Sequence, residues 1–158
     1  MITIVVGKMH QGKTTKLLTI YEKLNKGDGF VSVKKIENNQ VIGYDILQLS
    51  TKKTYPFILK TAYLPTNWQS SFSFGPYSFS AQTLTMIETK IETMLYKGVS
   101  PIFLDEIGKL ELQGQCFDAI LKKILQQCDE VYIAVRDVFV NDVIKKYSIT
   151  QKNILTID

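Results

Sequence analysis

Gly7-Lys8-Met9-His10-Gln11-Gly12-Lys13-Thr14-Thr15 constrains this chain more than any other stretch, because it fits the phosphate-loop pattern G-x-x-x-x-G-K-[ST] at every fixed position. Its surroundings agree. Ile2 to Val6 is an apolar, β-branched run that reads as a buried strand, and Leu17, Leu18, Ile20, Tyr21 and Leu24 recur at helical spacing behind the loop. A strand that passes through a glycine-bounded loop into a helix aims several backbone N–H groups at one point. That point is the positive end of a helix dipole, where a polyphosphate binds. In this reading residues Gly7 to Thr15 cradle the nucleotide phosphates, Lys13 reaches the β- and γ-phosphates, and the Thr14 hydroxyl is a ligand of Mg²⁺. His10, the only histidine, is expected to face solvent, since the backbone does the phosphate binding.

A chain of 158 residues is about one domain, so residues 1–158 are read as a single unit with one core. Hydrophobic residues at 45% and charged residues at 22% are ordinary for a soluble protein, and no apolar run approaches the roughly 20 residues that span a bilayer. A cytoplasmic protein with no membrane association is expected. The net charge of +4 suits a polyanion such as a nucleotide but is too small and scattered for specific nucleic-acid binding. Arg136 is the only arginine among 19 Lys and Arg residues, so any task that needs a planar guanidinium fork has one candidate. Cys116 and Cys128 are placed on one predicted helix, too far apart along its axis to bridge, and both are read as reduced thiols.

Along the chain, Lys26-Gly27-Asp28-Gly29 ends the first helix. Phe30 to Ile36 reads as a strand, Asn38-Asn39 as a turn, Val41 to Leu49 as its hairpin partner and Thr54 to Leu59 as a third run. The segment from about 37 to 60 is therefore expected to form an antiparallel flap on a parallel sheet. Residues 61 to 76 are expected to be irregular; their aromatics would either stack on a nucleotide base as a lid or pin a surface loop. Ser80 can cap a helix whose apolar face carries Leu84, Ile87, Ile91, Met94 and Leu95. After Gly98 come a strand over 101–106, a helix marked by Phe117 to Leu125, a strand over Val131 to Val135, a short helix capped by Asp137, and a last strand over Ile154 to Ile157. Five strands alternating with helices imply an α/β fold with a mainly parallel five-stranded sheet. Ligands on such sheets bind at the carboxyl ends of the strands, where the loop, Asp105-Glu106 and Arg136 all fall.

Asp105 closes an apolar strand downstream of a phosphate loop and so is a second Mg²⁺ ligand candidate, since Mg²⁺ takes oxygen ligands and keeps several waters. Glu106, directly after it, can orient and deprotonate an attacking water; the alternative is a carboxylate that faces solvent or pairs with Lys109. Arg136 follows a strand directly. It can contact γ-phosphate oxygens as charge spreads over them, or pair with Asp137 or Asp142.

The run Ile102-Phe103-Leu104-Asp105-Glu106-Ile107-Gly108-Lys109-Leu110-Glu111-Leu112 closely resembles the signature of the small THEP-type nucleoside-triphosphatases. Gly29-Phe30, Gly43-Tyr44, Tyr77 and Arg136-Asp137-Val138 resemble further family positions in the same order. The resemblance implies a RecA-like P-loop fold, Mg²⁺-dependent hydrolysis of ATP, GTP and other nucleoside triphosphates, and Lys13, Thr14, Asp105 and Glu106 in the roles given above. Two departures stand out. Val33-Lys34-Lys35-Ile36 replaces a Glu and Arg pattern of the second strand, and His10-Gln11 occupies the loop where small residues are common.

Two other functions fit a phosphate loop. A small-molecule or nucleoside kinase is one, although the chain has neither the paired cysteines of a zinc-bearing thymidine kinase nor an arginine-rich lid. A slow nucleotide-dependent switch that acts on a partner protein is the other.

Overall fold

The alternation in the β-branched runs determines which side chains each face of the sheet buries. In the computed structural model, which describes residues 1–157, Ile4 and Val6 point to one face while Val5 points to the other; Phe30 against Val31, and Leu104 against Phe103, divide in the same way. Strand β1 (Ile2–Gly7) leads through the loop into helix α1 (Lys13–Leu24), which alone covers the face of Val5, Val31 and Phe103 through Leu17. The opposite face is covered by α2 (Ala81–Tyr96), α4 (Asp118–Gln127) and α5 (Val140–Lys146) through Ile87, Ile91, Ile120, Ile124 and Val143. Ser80 caps α2 as expected, its Oγ accepting the Thr83 N–H at 3.1 Å.

The other strands are β2 (Asp28–Glu37), β3 (Gln40–Gln48), β4 (Thr54–Lys60), β5 (Ser70–Phe74), β6 (Tyr77–Ser80), β7 (Ile102–Ile107), β8 (Val131–Arg136) and β9 (Lys152–Thr156). Among the described residues all nine strands belong to one sheet, in the order β5-β6-β4-β3-β2-β7-β8-β1-β9. The five strands β2, β7, β8, β1 and β9 are parallel, as the β/α alternation implies. The sheet as a whole is mixed, however, and this corrects the expectation of a five-stranded sheet with a small flap. The antiparallel part has four strands, reaches residue 80 rather than 60, and continues the main sheet from β2.

Residues 61 to 76 are also more regular than expected. Ser70–Phe74 and Tyr77–Ser80 form a hairpin around Gly75-Pro76, and Trp68 Nε1 donates to Ser78 Oγ at 3.0 Å while Phe72 stacks on Phe79 at 4.4 Å. Aromatic packing pins this segment to the sheet. The two cysteines are not on one helix: Cys116 precedes α4 and Cys128 follows its last residue, with both thiols free. Asp137 does not cap α5; it starts a short 3₁₀ turn and its Oδ1 accepts the adjacent Val138 N–H. Among the described residues no helix is long and apolar enough to cross a membrane.

Candidate active site

Two strand ends build the site. At the end of β1 the chain turns through the loop, with His10 at φ 60° and Gly12 at φ 97°, a conformation in which a Cβ at Gly12 would be strained. Lys13 opens α1 and is only 7% exposed; its Nζ donates to the Lys8 carbonyl at 2.6 Å, across the mouth of the loop. Gln11 closes the same turn from within, its Oε1 accepting the Lys8 N–H at 2.6 Å. Lys8, Met9, His10 and Thr15 are exposed, so the outer rim of the loop is open. Partial desolvation comes first in holding the exposed His10 imidazole below its usual pKa, and the charges of Lys34 and Lys13 add to it.

At the end of β7 the ladder is broken. Leu104 pairs with Ile133 and Ile107 with Val135, so two residues of β7, Asp105 and Glu106, stand opposite Ala134 alone. This is a β-bulge, and Glu106 takes φ 62° within it, a left-handed conformation that costs a non-glycine residue of order 1 kcal/mol. The bulge turns two consecutive acids to different tasks. Asp105 is 1% exposed; its Oδ2 accepts the Thr14 hydroxyl at 2.5 Å and the Ser32 N–H at 3.1 Å, and its Oδ1 accepts the Glu106 N–H at 2.9 Å. The Glu106 carboxylate instead keeps solvent contact through a cleft, with protein surrounding it on the remaining sides.

Both acids hold protons more tightly than usual. Asp105 is pushed up to about 7, first by burial and then by the neighbouring Glu106 charge, against three stabilising hydrogen bonds. Glu106 is raised by burial; Lys13 and Lys34 oppose the shift and Glu111 adds to it. Lys34 of β2, in the run that departs from the family pattern, acts electrostatically on the site: its positive charge lowers the pKa of both His10 and Glu106. Glu111 has a structural task. Its carboxylate accepts the Gly108 N–H at 2.9 Å and the Phe117 N–H at 3.1 Å, fixing the loop that leaves Glu106; the spacing of Gly108 and Glu111 at the start of α3 (Lys109–Leu112) is a helix-start signal.

Arg136 ends β8, between the two site strands, and pairs in register with Gly7. Neither Asp137 nor Asp142 forms an ion pair with it; the guanidinium lies 5.9 Å from the Phe139 ring centroid, and the residue lines one cleft with Lys13 and Glu106. Glu106 likewise makes no ion pair with Lys109. The cleft has a volume of ≈ 270 Å³ and runs from Lys13 toward the antiparallel strands, where Tyr44, Phe57, Tyr77 and Phe79 wall it. Lys13, Thr14, Asp105, Glu106 and Arg136 thus converge at the carboxyl ends of β1, β7 and β8: Lys13, Glu106 and Arg136 line the cleft, while Thr14 and Asp105 meet each other outside its lining. Thr14 Oγ1 and Asp105 Oδ2 are hard oxygen donors already in contact, a donor pair that fits Mg²⁺.

Comparison with known proteins identifies the family. A family model described as NTPase matches residues 2–157. The nucleoside-triphosphatase THEP1 of Thermotoga sp. strain RQ2 and that of Thermotoga maritima are each 26% identical over 133 residues, covering 84% of this chain and 72% of theirs. The crystal structure of THEP1 from Aquifex aeolicus superposes with a TM-score of 0.70 at 23% identity, covering 99% of this chain and 90% of that one. The solution structure of a human cancer-related nucleoside triphosphatase gives 0.69 at 18% identity, covering 99% and 88%. A P-loop NTPase fold and a family match over nearly the whole length lead to one conclusion: this chain belongs to the THEP-type nucleoside-triphosphatase family.

Proposed function

We propose that the protein hydrolyses nucleoside triphosphates, ATP and GTP among them, to the diphosphate and phosphate with the help of Mg²⁺. The observation that carries this reading is the Thr14–Asp105 contact beside Glu106, which joins the phosphate loop to the acidic end of β7. In it the loop backbone from Gly7 to Thr15 binds the phosphates and the Lys13 ammonium leaves the Lys8 carbonyl for the β- and γ-phosphates. Thr14 and Asp105 would hold Mg²⁺, which when bound would neutralise charge on the phosphate oxygens.

Glu106 orients a water toward the γ-phosphorus and takes its proton as the bond to the β-phosphate oxygen breaks. Burial raises its pKa, which makes it a stronger base than an ordinary carboxylate. Arg136 compensates the negative charge that spreads over the γ-phosphoryl oxygens. Glu106→Gln keeps the shape and the loop intact, so nucleotide affinity should stay within about twofold while phosphate release falls by about 10²- to 10⁴-fold. Equilibrium binding of a fluorescent ATP analogue beside a phosphate-release assay checks this; unchanged turnover would remove Glu106 from its role.

A further inference from the structure

The cleft extends well past the groups that hydrolysis needs. From the phosphate loop only Met9, His10 and Lys13 reach it; Gly12, Thr14 and Thr15 do not. Nor does β9, which lies beyond β1 at the edge of the sheet farthest from the antiparallel strands. Its depth therefore lies on the side of Glu106 away from the loop. The walls there are aromatic and come from elements that the phosphate chemistry does not use. Phe57 stacks on Phe117 at 5.7 Å and meets Phe79 edge-on at 5.5 Å, and Tyr44 and Tyr77 close one side at 6.1 Å. Phe74, 41% exposed, stands at the mouth under the Lys109 ammonium. Among these rings Glu106 offers a hydrogen-bond acceptor in solvent contact, whereas Glu111 is already engaged by two backbone N–H groups.

We infer that this cleft is a second binding site, for a small planar aromatic alcohol held beside the triphosphate, with its rings between Tyr77 and Phe79 and its hydroxyl on Glu106. A volume of ≈ 270 Å³ is close to the lower end of ordinary small-molecule sites, about 300 Å³, and suits one or two fused rings. Flat rings gain from offset and edge contacts with such walls, and the polar group on the ligand meets the Glu106 carboxylate. The hydroxyl then occupies the place of the attacking water. The occupant therefore slows hydrolysis without displacing nucleotide. The placement of the water rests on the function proposed above; the binding itself does not.

The test uses 2-naphthol as probe. Ligand-observed NMR should show saturable binding at or below about 1 mM, both without nucleotide and with a saturating non-hydrolysable ATP analogue. Tyr77→Ala and Phe74→Ala, the second at a 41% exposed position, should each weaken it by about three- to tenfold, while Tyr96→Ala, at a 91% exposed site that does not line the cleft, should not. In phosphate-release assays 2-naphthol should lower kcat and leave KM for ATP unchanged. Loss of binding when nucleotide is added would overturn the inference, because the cleft would then be the base pocket. Absence of saturable binding, or binding indifferent to both cleft variants, would overturn it as well. A protein that binds 2-naphthol beside nucleotide yet releases no phosphate would instead contradict the proposed hydrolysis and leave the site standing.

Discussion

Glu106 is where local preference and chemistry disagree. A left-handed backbone at a glutamate, inside a bulge and beside a second buried acid, costs stability; it also turns the carboxylate out of the sheet and into the cleft. Glu106→Asn should show the conflict directly, since asparagine tolerates φ near 60° and carries no charge. Its thermal midpoint should equal or exceed that of the wild type while phosphate release is lost, the pattern of a site that sacrifices stability for activity. Differential scanning calorimetry beside the activity assay reads both. Arg136 makes the complementary case. As the only guanidinium, and one without an ion pair among the described residues, it should lower kcat by about 10³-fold when changed to Ala. Arg136→Lys should recover little of that loss, because an ammonium has no planar fork. The residues of the phosphate loop and the Asp105-Glu106 pair are readable from sequence because their spacing is local. The Gln11–Lys8 closure and the φ of Glu106 are not, since both depend on how the loop and the bulge are finally packed.

Among the elements, the parallel strands announce themselves by unbroken apolar runs and the helices by their periodic faces. The hairpin of β5 and β6 is hidden by its composition. Ser70-Ser71-Phe72-Ser73-Phe74 is short, polar and at the sheet edge, so only the Gly75-Pro76 turn and the stacking of Phe72 on Phe79 mark it as a strand. A close approach between parallel strands is equally invisible in sequence. Gly29 of β2 pairs with Phe103 of β7 at φ 154°, and a Cβ there would lie 2.0 Å from the Phe103 carbonyl oxygen. Since the obstacle is backbone, Gly29→Ala must push β2 from β7 and should destabilise the protein by about 3 kcal/mol, read as a lower urea midpoint. An unchanged midpoint would mean that the two strands separate freely. Because Ser32 of β2 donates to Asp105, the same displacement should also weaken the proposed Mg²⁺ site.

For the molecule as a whole, the buried acid of the site ties folding to pH and, if it holds Mg²⁺ as proposed, to metal. Asp105 titrates near 4 in the unfolded chain and at about 7 in the fold, so between those values the folded state holds a proton that the unfolded state has lost. Stability in the absence of metal should therefore fall as pH rises from about 4 to about 7 and then level off. Mg²⁺ offsets the buried charge, so it should raise the thermal midpoint more at pH 8 than at pH 5, and Asp105→Asn should abolish that difference. The antiparallel extension, only partly legible beforehand, encloses the cleft with Tyr44, Phe57, Tyr77 and Phe79; this follows from strands distant in sequence meeting β2, not from any motif. The most direct measurement of the central claim is phosphate release from ATP, GTP, CTP and UTP with Mg²⁺ and no other acceptor, for the wild type and for Lys13→Ala. Release from several triphosphates that disappears in Lys13→Ala is the expected result. Tight nucleotide binding with no release by the wild type would contradict the account.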